Sequence, residues 1–256
     1  MSRLLKALPL ALTMAALSIF PAGCGSSSPA QVRFVHVIQD AGGPLDIDVS
    51  SPNAATTQEF TDIPFLGVLP NQPGYTSTPS GSDTIAGFLT GTTTEVFSDS
   101  LSLGSGAQYT LVATGFSKTG TPPGSNVALL QISDNIPVPP AGDVEFRVIH
   151  ASPSGPGAVD VYIELNPNTG PGLPITISNL AYTQASKYVS FVYNPNNATN
   201  PPGFKVYVTA AGTTTPILIS EPINPATAGA VRTLVLTDVQ DGTSMSSSFL
   251  ELSDLN

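Results

Sequence analysis

The chain has 256 residues, enough for two domains that each bury a core, and a formal net charge of −10 at pH 7. Charged residues make up only 10% of it against 41% hydrophobic, which excludes the charge-rich, apolar-poor composition of a disordered chain. The acidic surplus repels phosphate backbones and excludes nucleic acid as a partner.

Residues 1–23 read as an export leader: Arg3 and Lys6 precede an apolar run, Ala7 to Phe20, too short to span a bilayer comfortably. Pro21-Ala22-Gly23 then leads to Cys24, the sole cysteine, where bacterial lipoproteins carry their acylated residue. The segment resembles a lipobox, with Pro21 where Leu, Val or Ile is usual. The expectation is a lipoprotein signal peptide and a membrane contact through lipidated Cys24; the alternative is cleavage after Ser28-Pro29-Ala30 with Cys24 discarded. Residues 24–31 form a tether of at most about 25 Å. Gly25 rather than Asp after the cysteine resembles outer-membrane sorting in a Gram-negative host. The predicted location is therefore lipid-anchored in the cell envelope, at the outer membrane, on its periplasmic or surface face. A lone thiol leaves no intramolecular disulfide.

Beyond the tether the chain repeats itself. His36 and His150, Asp46 and Asp160, Ile63 and Ile177, and Leu66 and Leu180 share one spacing, with Tyr75 and Tyr188 one residue out of step. Further on, Gly91-Thr-Thr-Thr94 matches Gly212-Thr-Thr-Thr215, and Tyr109-Thr-Leu-Val-Ala-Thr114 matches Arg232-Thr-Leu-Val-Leu-Thr237. Leu130-Gln-Ile-Ser-Asp134 likewise matches Leu250-Glu-Leu-Ser-Asp254. The predicted organisation is a repeat over 32–135, a proline-stiffened linker over 136–142 and a second repeat over 143–256.

Period-two alternation marks strands. Val32, Phe34 and His36 face one way and Arg33, Val35 and Val37 the other; Phe146, Val148 and His150 against Arg147, Ile149 and Ala151 do the same. Other predicted strands in the first repeat are Leu45–Ser50, Thr84–Leu89, Thr94–Leu103, Gln108–Gly115 and Asn126–Ser133. In the second they are Val159–Leu165, Ile175–Ser178, Lys187–Tyr193, Phe204–Ala210, Pro216–Ile223, Val231–Thr237 and Ser247–Leu252. Pro70–Ser82 and the stretch from Asn194 to Pro202 read as the longest irregular segments. The fold class expected is all-β: two tandem antiparallel β-sandwiches, Ig-like or transthyretin-like.

The V-R-F-V-H run at Val32–His36, F-R-V-I-H-A-S-P…V-D-V-Y-I from Phe146, A-G-T-T-T and Y-T-L-V-A-T-G resemble the family named domain of unknown function 4397. The resemblance covers 32–135 and 144–254 and implies an extracellular bacterial β-sandwich, often in tandem, with no catalytic residue to carry over. The first repeat departs from it at His36-Val-Ile-Gln39, where the second has His150-Ala-Ser-Pro153.

His36 with Asp46 and His150 with Asp160 are the sharpest polar pattern, each His ending a strand and each Asp beginning the next. A metal site or an acid–base pair is one reading. A hydrogen-bonded structural pair is the favoured one, because one His per repeat is too few for zinc. Arg33 and Arg147, on the opposite strand face, are expected to pair with a carboxylate or support a loop. Asp238-Val-Gln-Asp241-Gly242 and Ser133-Asp134-Asn135 offer oxygens to calcium without EF-hand spacing. No G-x-S-x-G elbow occurs, and no cofactor, metal or catalytic residue is expected. Tyr193, Asn194, Asn196 and Asn197 form the candidate binding loop, in a chain without Trp for sugar stacking. The function expected is a non-enzymatic envelope lipoprotein with structural or binding roles toward a protein or glycan. The alternative is an extracellular glycan-binding or adhesive module, with a hydrolase behind it.

Overall fold

The computed structural model describes residues 28–52, 57–117, 126–165, 175–193, 203–225, 227–241 and 244–255. The predicted leader, Cys24 and most of the tether lie outside the described residues, as do Asn194, Asn196 and Asn197.

In chain order the first half carries β1 (Ala30–His36), β2 (Leu45–Ser50), β3 (Gln58–Ile63), β4 (Gly67–Leu69), β5 (Thr76–Thr78), β6 (Gly81–Leu89), β7 (Glu95–Leu103), β8 (Gln108–Thr114) and β9 (Ala128–Ser133). The second half carries β10 (Asp143–His150), β11 (Ala158–Leu165), β12 (Ile177–Ala181), β13 (Val189–Val192), β14 (Phe204–Ala210), β15 (Pro216–Ile219), β16 (Val231–Asp241) and β17 (Ser244–Leu255). Among the described residues there is no helix.

Each half is a sandwich of two sheets. The outer sheets run β3-β2-β6-β7 and β12-β11-β14-β15. The inner sheets run β4-β1-β8-β9, with β5 also on β1, and β13-β10-β16-β17. The sandwich expectation holds, but each inner sheet contains one parallel pair, β1 with β8 and β10 with β16. A parallel pair needs a long crossover. The chain supplies it by leaving β1 or β10, building the outer sheet, and returning beside the strand it left.

Pro70–Ser82, expected to be irregular, holds β5, and β6 begins at Gly81 within it. The flank of β1 is divided, Gly67–Leu69 pairing with Phe34–His36 and Thr76–Thr78 with Ala30–Val32. Pro70 and Pro73 lack the N–H that would continue one strand through the gap. The last hairpin also exceeds expectation, pairing from Val231↔Leu255 out to Asp241↔Ser244.

Alternation decides the layers. Val32 and Phe34 of β1 meet Ile47, Ile85 and Phe97 of the outer sheet in one core. Phe146 and Val148 meet Val161, Phe204 and Val206 in another. The opposite faces of the two inner sheets bury a third cluster, Val35, Val37, Val112 and Leu130 against Ile149, Ala151, Val235 and Leu252. The molecule is thus four sheets deep, and both inner sheets are buried on both faces. Val138 in the linker is 90% exposed and packs neither half against the other. The seam between the inner sheets holds the halves together.

Candidate functional site

Arg33 of β1 and Arg147 of β10 lie on the strand faces turned toward that seam. Arg33 is fully buried and Arg147 nearly so. The shortest ion pair of each is with a carboxylate of the other half. Arg33 donates through Nη2 to Oδ1 of Asp254, and Arg147 through Nη2 to Oδ1 of Asp134, so each ion pair crosses between the halves. Asp134 Oδ2 also lies 3.8 Å from Arg33 Nη2, joining the charges into one cluster.

The contacts that support the two guanidinium groups come in matching pairs. Arg33 Nε donates to Thr110 Oγ1 at 2.7 Å, and Arg147 Nε to Thr233 Oγ1 at 2.7 Å. Nη1 reaches the Ser253 carbonyl at 3.4 Å in one case and the Ser133 carbonyl at 3.3 Å in the other. The hydroxyl of Thr110 donates to Asp134 and that of Thr233 to Asp254, both at 2.6 Å. Tyr75 donates to Asp134 at 2.8 Å and Tyr188 to Asp254 at 3.0 Å. Each Tyr ring also lies under its own half's guanidinium, Arg33 over Tyr75 at 5.2 Å and Arg147 over Tyr188 at 4.8 Å. Burial works against the charge on Arg147, yet the adjacent Asp134 raises its pKa overall. Both tyrosines are pushed up, first by burial, and remain neutral donors. Buried charges are tolerated only when paired and hydrogen-bonded, and every member here meets that condition.

The expected His–Asp bonds do not form. Asp46 and Asp160 lie on the outer sheets at a break in the ladder, where register shifts between Leu45 and Ile47 and between Val159 and Val161. Asp46 accepts the N–H of Asp62 (2.8 Å), the Thr90 hydroxyl (2.8 Å) and the N–H of Gly91 (3.2 Å). Burial pushes its carboxyl up, but these three donors outweigh that and leave the pKa lowered. Asp160 accepts the N–H of Asn179 (2.7 Å) and of Gly212 (2.8 Å). Asp62 and Asn179 have φ of 60° and 52°, and Gly91 and Gly212 have 73° and 77°. Each aspartate therefore clasps two left-handed turns, which explains why Gly-Thr-Thr-Thr recurs with it.

His36 and His150 face inward instead. His36 Nδ1 accepts the Ile38 N–H at 3.3 Å and His150 Nδ1 the Ser152 N–H at 3.4 Å. Burial lowers His36 to about 4, opposed by the Gly43 backbone. His150 is lowered by burial too, opposed by the Pro156 carbonyl, 3.0 Å from Nε2, and by Asp238. Both are neutral at pH 7.

The second half adds one feature of its own. The buried Ser152 hydroxyl donates to Asp238 Oδ1, and Asp238 Oδ2 accepts the Ser154 N–H at 2.8 Å. This serine serves its turn; its hydrogen is given to Asp238 and not to His150. In the calcium-type segments, Asp134 is held in the seam and Asp238 in this turn. Among the described residues no group of three or more His, Cys, Asp or Glu is placed to hold a metal.

Tyr193 is not a surface ring. It is 4% exposed, stacks on Phe204 with centroids 6.3 Å apart and donates to Asn224 Oδ1 at 3.0 Å. Phe146, Phe191 and Phe204 complete that aromatic core. A more open concavity lies on the first half's outer face, about 320 Å³, where Phe88 sits among Asp48, Glu59 and Thr61. There burial, then Glu59 and Asp46, push the Asp48 carboxyl up.

Sequence reasoning missed the seam as a set, although Thr110/Thr233, Tyr75/Tyr188 and Asp134/Asp254 were all visible as repeated residues. A polar residue repeated inside an apolar strand run was the signal.

The family described as "Domain of unknown function (DUF4397)" matches residues 30–162, from β1 across the linker into β11. No curated protein matches the chain. Among solved structures, the chain is similar to the Bacillus anthracis TIE protein at 9% identity and TM-score 0.24, covering 88% of this chain and 44% of that one. It is also similar to a putative adhesin from Bacteroides ovatus, at 9% identity and TM-score 0.24, with 86% and 92% covered. A third is the tip fimbrial protein Mfa3 from Porphyromonas gingivalis with C-terminal truncation, at 10% identity and TM-score 0.19, with 87% and 99% covered.

Proposed function

The chain belongs to the DUF4397 family, whose domain is described as one of unknown function, and from that premise we propose that it is a non-enzymatic lipoprotein of the cell envelope. Cys24 carries the lipid, residues 24–31 form the tether, and two copies of one β-sandwich unit stand off the membrane as a single body. Loops and sheet edges of that body serve structural or binding roles toward a partner. The observation that carries this reading is the use made of the repeated polar residues: Arg, Asp, Thr and Tyr hold the halves together and the clasping Asp holds turns. Chemistry built on those residues would have to dismantle the body. Mass spectrometry of the mature protein tests the anchor: acyl chains on an N-terminal Cys24 are expected, with Cys24→Ala released to the soluble fraction. A mature chain beginning at Gln31 without acyl groups overturns it.

A second reading, a glycan-binding module, draws on the outer-face concavity, where an aromatic ring lies beside carboxylates able to accept sugar hydroxyls. Calorimetry with bacterial and host polysaccharides checks it; binding lost in Phe88→Ala supports it, and no heat from any glycan removes it.

A further inference from the structure

The seam has a property that its role in one chain does not require. In a two-fold interface the same patch serves both sides, so that residue i meets j and j meets i. Here Arg33 meets Asp254 while Arg147 meets Asp134, and Arg33, Thr110, Tyr75 and Asp134 of one face match Arg147, Thr233, Tyr188 and Asp254 of the other. The apolar residues match as well: Val35 with Ile149, Val37 with Ala151, and Val112 with Val235. Each face therefore carries both a buried cation and the buried anion that satisfies such a cation.

That charge pattern decides which pairings are open. Had one half held both arginines and the other both aspartates, two like faces would bury unpaired charge. With one of each per face, a face meeting its own copy leaves every charge paired. We propose that the seam is self-complementary: the first half can pair with the first half of a second copy of this chain, and the second half with the second half of that copy, through the face now buried between them. The linker, residues 136–142, with Val138 exposed, is the covalent restraint on that exchange in the described part of the chain. The inference goes beyond the envelope role and stands whether or not the chain is lipidated.

The test uses the full chain, purified folded, with a protease site placed in the linker beside Val138. After cleavage and overnight incubation, native mass spectrometry reads which halves are paired. Three species are expected: first with first, first with second, and second with second. Finding only first-with-second pairs, or single halves, overturns the proposal. Exchanging one ion pair, by Arg33→Asp together with Asp254→Arg, keeps the two salt bridges that cross the mixed pair, at the loss of the longer Arg33–Asp134 contact, but sets like charges opposite one another in each self-pair. The self-paired species should then fall by roughly ten-fold or more relative to the mixed one. Their persistence in that variant would refute the charge argument, and should the variant not fold, the species found in the unsubstituted chain decide by themselves.

Discussion

In the first half, β7 runs from Glu95 to Leu103 and reaches across to the edge of β9. There Asp99 accepts the Leu129 N–H at 3.2 Å, and the Ser102 carbonyl accepts from the Gln131 side chain at 2.8 Å. In the second half the strand in that place, β15, spans only Pro216–Ile219. Beside it is a cavity of about 350 Å³ between the sheet edges, lined in part by Leu218, Ile223, Leu234 and Phe249. Around the two arginines of the seam the paired contacts agree to within 0.4 Å in the two directions. The difference has a physical origin. An outer edge that changes shape is rehydrated at little cost, whereas a buried charge that loses its partner has no water to turn to.

The harshest way to break that contrast is to remove one guanidinium. Arg147→Met should cost about 3–5 kcal/mol by leaving Asp134 charged and buried, and Arg33→Met should cost about the same. Urea unfolding of both variants checks it; a loss below about 1 kcal/mol in either would mean that the seam is not shared equally.

Acid should separate the halves next. His36 has a folded pKa of about 4 against an unfolded value near 6.5, so the unfolded chain binds the extra proton first. Stability from this residue is complete above pH 6.5 and declines as the pH falls toward 4, by roughly 3 kcal/mol at most. His36→Gln should flatten that decline in a series of melts across pH 4–7. His150 is shifted in the same direction but is opposed by Pro156 and Asp238, so His150→Gln should change the slope less.

Smaller effects sharpen the outer-sheet side. Asp160, 3% exposed, should lose about 2 kcal/mol as Asp160→Ala, since its two part-buried hydrogen bonds to the Asn179 and Gly212 N–H groups are lost; the less buried Asp46 should lose about 1 kcal/mol as Asp46→Ala, with water replacing its oxygens. Least of all, Asp99→Ala should cost about 0.5 kcal/mol and be read best as faster hydrogen exchange at the Leu129 amide.

Much of this was legible beforehand. Alternation in Val32–Val37 and Phe146–Ala151 separates the residues that fill a sandwich from those that fill the seam, because side chains on a strand can point only two ways. The repeated order of His, Asp, Gly-Thr-Thr-Thr and Ser-Asp laid out two similar halves. Short or interrupted strands escaped: β4 and β5 have three residues each, below the length at which a period of two can be seen. The aspartates at Asp46 and Asp160 were recognised as a pair with meaning but assigned to the wrong donors, since a ten-residue spacing says nothing about a turn that comes back from Asn179 or Gly91.

The sequence by itself determined the all-β class, the repetition and the two-faced strands, all of which follow from local geometry and residue type. Only the tertiary structure decided that the second faces of the inner sheets meet each other, and that Arg33 finds its carboxylate at Asp254, in the other half of the chain. Periodicity records on which side of a strand a residue lies. What waits across the gap on that side depends on packing between elements far apart in the chain, where burial without a partner would be too costly to persist.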